Sequence, residues 1–242
     1  MSELPYSTII VSGDDAFDFL QAQLAADITQ LGGDDLSRVH PDQRQHGASG
    51  DAILSAWCNP KGRVICLFRV GRVEGGYSLA LPTEQTEEAV KRLTMFRFRA
   101  KVEFAVRQST PEQLGAMSSY EEWQVENLRA GIPEILSTQS EQFTPHMLNL
   151  DLLGAVSVDK GCYPGQEIVA RTHFRGATRR RCVRFESTQP VSPGDKVSDG
   201  ERDIGEVLNA IGNDLLAVIP IDSATGELSV GGVPIKHIPL GY

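Results

Sequence analysis

Hydrophobic and polar positions alternate in two different styles along the chain. In the first two thirds, short alternating runs are interleaved with runs at helical spacing. The β-branched run Thr8, Ile9, Ile10 and Val11 predicts a strand over 6–11. Ser12, Asp14 and Asp15 then suit the start of a helix whose apolar positions include Phe17, Leu20 and Leu24. Residues 32–50 read as loop, with room for a short strand near 36–39. Strands are expected over 52–58 and 63–70, joined by the turn sequence Asn59-Pro60-Lys61-Gly62, and a third over 77–81. A helix over 83–96 carries acids early and Lys91 and Arg92 late, as the helix dipole favours. A strand over 101–106 and a polar connector over 108–117 follow. Ser118 and Glu121 form a capping box opening a helix with Tyr120, Trp123 and Leu128, which Gly131 and Pro133 end. This order of meander, helix and strand points to an α+β fold.

From residue 182 the texture changes. Short strand-like runs over 182–186, 196–197, 205–211, 215–219, 227–230 and 233–238 are separated by Pro-Gly, Asp-Gly, Gly-Asn and Gly-Gly. That is the pattern of a small antiparallel barrel or sandwich. The expected division is a first domain over 1–182 and a C-terminal β-barrel over 183–242.

The chain has 242 residues, enough to bury a core without disulfides or metals. Its start lacks a basic, apolar leader, and no run approaches bilayer length, so a cytoplasmic protein with no membrane partner is expected. Net charge is −9, which argues against direct nucleic-acid binding. The window 160–181 opposes that trend with six Lys/Arg and one acid. Cys58, Cys66, Cys162 and Cys182 show no Cys-x-x-Cys pair and no histidine at zinc spacing, so no metal site is expected from this chain alone.

The basic window contains the most distinctive run, Lys160-Gly161-Cys162-Tyr163-Pro164-Gly165-Gln166-Glu167. Tyr163-Pro164-Gly165-Gln166 fits a type II turn, with proline setting φ at its second position and glycine accepting φ > 0 at its third. Residues 166–171 fit a helical turn or a short strand. If the segment before the turn is extended, Lys160 and Cys162 share a face, and the ammonium would favour the thiolate. The opposing reading is a small buried hydrophobe, a common state for cysteine.

The run extended to Ile168-Val169-Ala170-Arg171 resembles the signature of the YgfZ family, relatives of the glycine-cleavage T-protein. The blocks Gly13-Asp14-Asp15-Ala16, Asn59-Pro60-Lys61-Gly62-Arg63, Phe98-Arg99-Ala100-Lys101-Val102, Gly131-Ile132-Pro133 and 143–150 are also similar to family blocks. The resemblance implies a T-protein-like folate-binding fold over 1–182. It implies a tetrahydrofolate-binding accessory protein for the assembly or maintenance of iron–sulfur enzymes, including ones that modify tRNA. Iron–sulfur client or assembly proteins are the implied partners. Cys162 and Lys160 would be the reactive pair. Tyr6, in place of a family tryptophan, and Trp123 would contact the folate. Tyr163, Gln166, Glu167, Arg171 and Arg175 would complete its site. Only about twenty residues separate Lys101-Val102 from the helix of Trp123, fewer than in longer members. The resemblance therefore implies a shortened middle, with a shallower cleft or one completed by a second subunit in a homodimer.

Arg171, Arg175, Arg179, Arg180 and Arg181 could bind a folate glutamate tail, a phosphate or an acidic client, or could be a solvated face. His173, eleven residues beyond Cys162, makes a Cys-His pair conceivable. Two further functions stay open. One is an aminomethyltransferase-like one-carbon transferase using tetrahydrofolate. The other is an interaction module whose cleft has decayed.

Overall fold

A computed structural model describes residues 4–31, 52–114, 119–176 and 178–242. The expected loop over 32–50, its short strand and the expected cap Ser118 lie outside the described residues.

Five antiparallel strands form the first sheet: β1 (Tyr6–Ser12), β2 (Ala52–Cys58), β3 (Val64–Val73), β4 (Gly76–Pro82) and β5 (Glu103–Gln108), in the order β2-β3-β4-β1-β5. Helices α1 (Ala16–Gln23) and α2 (Thr83–Phe96) belong to the same unit. Because strand side chains alternate, β2 serves two cores at once. Ile53 and Trp57 join Ile9, Leu20, Phe68 and Leu93 in one cluster, on the side of α1 and α2. Leu54, Ala56 and Cys58 face the other way, into a second cluster with Leu128, Leu148 and Tyr163.

The connector holds a single helical turn, α3 (Pro111–Leu114), and leads to α4 (Tyr120–Arg129). The capping box of α4 is Ser119 with Glu122, one residue later than expected. Two serines and two glutamates stand side by side there, so spacing alone could not choose between registers. The segment after α4 passes through a short 3-10 turn at Pro145–Leu148 before reaching α5 (Gln166–Arg175).

The C-terminal strands β6 (Arg180–Ser187), β7 (Lys196–Ser198), β8 (Asp203–Ile211), β9 (Asp214–Pro220), β10 (Leu228–Val230) and β11 (Val233–Ile238) close into a barrel, ordered β10-β11-β6-β9-β8-β7. Alternation again divides the work. Leu215, Ala217 and Ile219 of β9 fill the barrel interior with Phe185, Val207 and Leu228. Leu216 and Val218 point outward into the second cluster, which also holds Leu54 and Leu67 of the sheet. The outer wall of the barrel and the second face of the sheet therefore share one core.

Candidate functional site

The signature run is built on two turns pressed together. Gly165 adopts φ 81°, ψ 0°, and Gln166 N donates to Tyr163 O at 3.1 Å, which is the expected type II turn. The Asn59-to-Arg63 turn is closed by its own asparagine. Asn59 Oδ1 accepts from the backbone N–H of Lys61 and Arg63 at 2.9 and 3.0 Å. Asn59 Nδ2 donates to Glu141 Oε2 at 2.6 Å. A Cβ on Gly165 would lie 2.5 Å from Asn59 O, and one on Gly62 would lie 2.9 Å from Ile168 Cβ. Two separate sequence blocks thus require glycine for the same reason, their mutual approach.

Cys162 stands just before the turn and is exposed, whereas Cys58, Cys66 and Cys182 are buried. Burial pushes the Cys58 and Cys182 thiols up to about 12, and burial pushes Cys66 up as well.

The Lys160 ammonium makes its hydrogen bonds to the end of α1 and the residues after it. It donates to Leu24 O at 2.8 Å, Ala26 O at 2.9 Å and Gln21 Oε1 at 3.4 Å. The expected face shared with Cys162 assumed an extended segment, but residues 158–161 bend and the two-residue alternation fails there. Lys160 thereby ties the signature loop to the end of α1. Burial pushes its pKa down to about 8, with Asp27 opposing. Gln166 Nε2 donates to Lys160 O at 3.0 Å, closing the loop from the other side.

The other expected site residues fall into two groups. Tyr163 is buried in the second cluster, with the Lys160 Nζ 5.5 Å from its ring centroid. Glu167 and Arg171 form an exposed i,i+4 ion pair on α5 at 2.5 Å, and Arg175 is exposed in its last turn. Arg181 is not a free cation, because Asp151 holds it at 2.6 and 2.9 Å. Tyr6 and Trp123 meet elsewhere, edge to face at 5.6 Å.

Tyr6 and Trp123 border a cavity of about 40 Å³ with Arg69, Asn127 and Glu134, which none of the signature residues lines. The Tyr6 hydroxyl donates to Glu134 Oε1 at 2.7 Å. The Arg69 guanidinium lies 4.7 Å from the Trp123 ring centroid and donates to Asn127 Oδ1 at 3.0 Å. Tyr120 stacks on the same indole at 5.6 Å. Ligand pockets usually measure about 300–1,000 Å³. The cavity is therefore too small for a folate in this conformation, because a half-buried cation and a tyrosine already lie against the indole. Sequence spacing could not reveal Arg69, which comes from the middle of β3.

Comparison with known proteins then places the chain. Residues 179–240 match the family described as CAF17, C-terminal beta-barrel domain. The tRNA-modifying protein YgfZ of Vibrio atlanticus is 25% identical over 255 residues, covering 83% of this chain and 74% of its own. The tRNA-modifying protein YgfZ of Colwellia psychrerythraea is 23% identical over 299 residues, covering 96% and 86%. The chain is similar to these YgfZ proteins over most of its length. Its fold is that of glycine cleavage system aminomethyltransferase T. The Bartonella henselae structure of that protein superposes with a TM-score of 0.69 at 13% identity, over 96% of this chain and 82% of its own. The Colwellia alignment is longer than this entire chain of 242 residues, so that YgfZ relative carries segments missing here. Among the described residues no helix is long and apolar enough to cross a membrane.

The structure also brings together a group that sequence spacing missed. His146, Asp151 and His173 offer ligand atoms that all lie within 4.8 Å of one another. They come from a 3-10 turn, the turn after it and the end of α5, with no periodicity to announce them. His173 is thereby engaged about 10 Å along α5 from the end that follows Cys162, not paired with the thiol.

Proposed function

We propose that this YgfZ-like chain is a cytoplasmic accessory protein for iron–sulfur enzymes, those that modify tRNA among them, and that Cys162 is the group through which it acts. The observation that carries the reading is the contrast among its cysteines: Cys162 is exposed at a braced turn, and the other three are sealed in cores. Lys160, Gln166 and the two facing glycines act as positioning groups for the loop. Client or assembly proteins would meet the thiol together with the exposed side of α5, where Arg171 and Arg175 project.

The experiment is complementation of a strain lacking its own YgfZ. Cys162→Ala is expected to lose support of tRNA-modifying iron–sulfur enzymes while keeping the melting temperature of the parent. Full support by a correctly folded Cys162→Ala protein overturns the reading.

Tetrahydrofolate enters this reading as the ligand of the Tyr6–Trp123 cleft in a state where Arg69 has left the indole. A one-carbon transferase would need the same cleft opened, so it is the exposed Cys162, not the cavity, that favours the accessory role over that alternative. Quenching of tryptophan fluorescence by tetrahydrofolate, compared between the parent and Trp123→Phe, tests the cleft. Quenching that persists in Trp123→Phe would assign the signal to Trp57 and remove folate from the proposal.

A further inference from the structure

His146 is 2% exposed, and neither its Nδ1 nor its Nε2 has a hydrogen-bond partner among the described residues. Buried imidazoles nearly always make at least one such bond, so this ring lacks the partner its chemistry demands. Thr144 starts the 3-10 turn that carries it, accepting from Met147 N, and Asn149 ends that turn at φ 58°. The reversal at Asn149 lets Asp151 return beside His146. Across from them the last turn of α5 supplies His173, whose ring centroid is 6.1 Å from that of His146. We propose that His146, Asp151 and His173 bind one divalent transition-metal ion.

Two imidazoles and one carboxylate form a donor set for zinc, cobalt or iron(II), whereas calcium and magnesium prefer oxygen throughout. Arg181 grips Asp151 through both oxygens, Nη1 to Oδ1 at 2.6 Å and Nη2 to Oδ2 at 2.9 Å. Each carboxylate oxygen has a second lone pair, so Asp151 can keep Arg181 as its outer partner and still ligate. The same guanidinium leaves the site without net negative charge, which limits its affinity and selects against hard cations held by charge alone. Donor atoms around a metal at 2.0–2.2 Å stand roughly 3–3.5 Å apart, closer than the present spread. His173, exposed near a helix end, is the side chain free to close that difference and to give the ion access from solvent. The C-terminal end of α5 favours a cation there. Three protein ligands leave positions open for solvent or for a group on a partner.

Titration of the tag-free full chain with cobalt(II) chloride, followed by visible absorption, tests the site. One equivalent should bind with the ligand-field bands of a nitrogen- and oxygen-ligated ion, and zinc chloride should displace it. His173→Ala should weaken cobalt binding at least tenfold with an unchanged melting temperature, and His146→Gln should weaken it similarly. Cys162→Ala should bind as the parent does. Absence of binding to the parent, equal binding by His173→Ala, or loss of binding in Cys162→Ala would each overturn the proposal. His173→Ala decides the matter even if His146→Gln does not fold.

Discussion

Gly62 and Gly165 face each other across the seam between two turns, with the Gly62 Cα only 2.7 Å from where a Gly165 Cβ would stand. Gly165 also sits at φ 81°, a conformation that L side chains resist. The pair couples the β2–β3 hairpin to the loop that presents Cys162. Neither block could change its glycine without moving the other.

Gly165→Ala should therefore destabilise the protein by about 1–3 kcal/mol and lower the melting temperature by several degrees, since strain and backbone contact act together. Gly161→Ala in the same loop is the matched control. A Cβ there meets nothing within 4 Å, and its effect should stay within about 0.5 kcal/mol. Thermal melts of the two variants check the contrast. Equal melting temperatures would mean that the turns are not braced against each other.

Thiol accessibility gives a second expectation. A disulfide reagent added to the native protein should modify one of the four cysteines rapidly, and all four only in denaturant. The rapid equivalent should vanish in Cys162→Ala. Removing an exposed side chain should leave stability within about 0.5 kcal/mol of the parent. Rapid labelling of Cys58, Cys66 or Cys182 would contradict the burial described.

Lys160 yields a pH dependence. Its native pKa, about 8, lies below the usual lysine value near 10.4, so the unfolded chain holds the proton more tightly. Between those values the unfolded state binds more protons, and the contribution of Lys160 to stability rises with pH. At and below pH 7 burial of the ammonium costs its full amount. Urea midpoints of the parent relative to Lys160→Met should rise from pH 8 to pH 10, and a flat difference would show an ordinary lysine.

Much of the scaffold was legible in the sequence because local rules agreed there. The six C-terminal runs, punctuated by glycine and proline pairs, became the six strands of the barrel. The Pro164-Gly165 turn and the Asn59–Gly62 hairpin followed from φ preferences alone. Legibility failed where a tertiary contact decided. The partners of Lys160 were not foreseen: past bends over 158–161 its ammonium reaches the carbonyls of Leu24 and Ala26. Tyr6 and Trp123 were expected together and are, yet Arg69 lies over the indole where a ligand was expected. His146, Asp151 and His173 were invisible for the same reason: their neighbourhood exists only after two turns and a helix have been placed.

Asp214 offers the sharpest test of how α4 is fastened to the barrel. Its carboxylate accepts from Arg184 Nη2 at 2.6 Å and from Arg129 Nε at 3.0 Å, one donor from β6 and one from α4. Burial works against the charged form, but the bonds from Arg184 and Arg129 prevail and hold the carboxyl below its usual range. Arg184 is 15% exposed and Arg129 is 57% exposed, so their losses should differ. Asp214→Asn strands the Arg184 charge in a poorly solvated position and should cost about 3–5 kcal/mol. Arg129→Ala removes a mostly solvated partner and should cost about 1 kcal/mol or less. Because the native pKa is depressed, the benefit of Asp214 is complete above pH 4 or so and is lost as pH falls through its native value. The gap in urea midpoint between parent and Asp214→Asn should therefore be smaller at pH 3 than at pH 7. If the gap between them persists unchanged at pH 3, the carboxylate charge is not what joins α4 to the barrel.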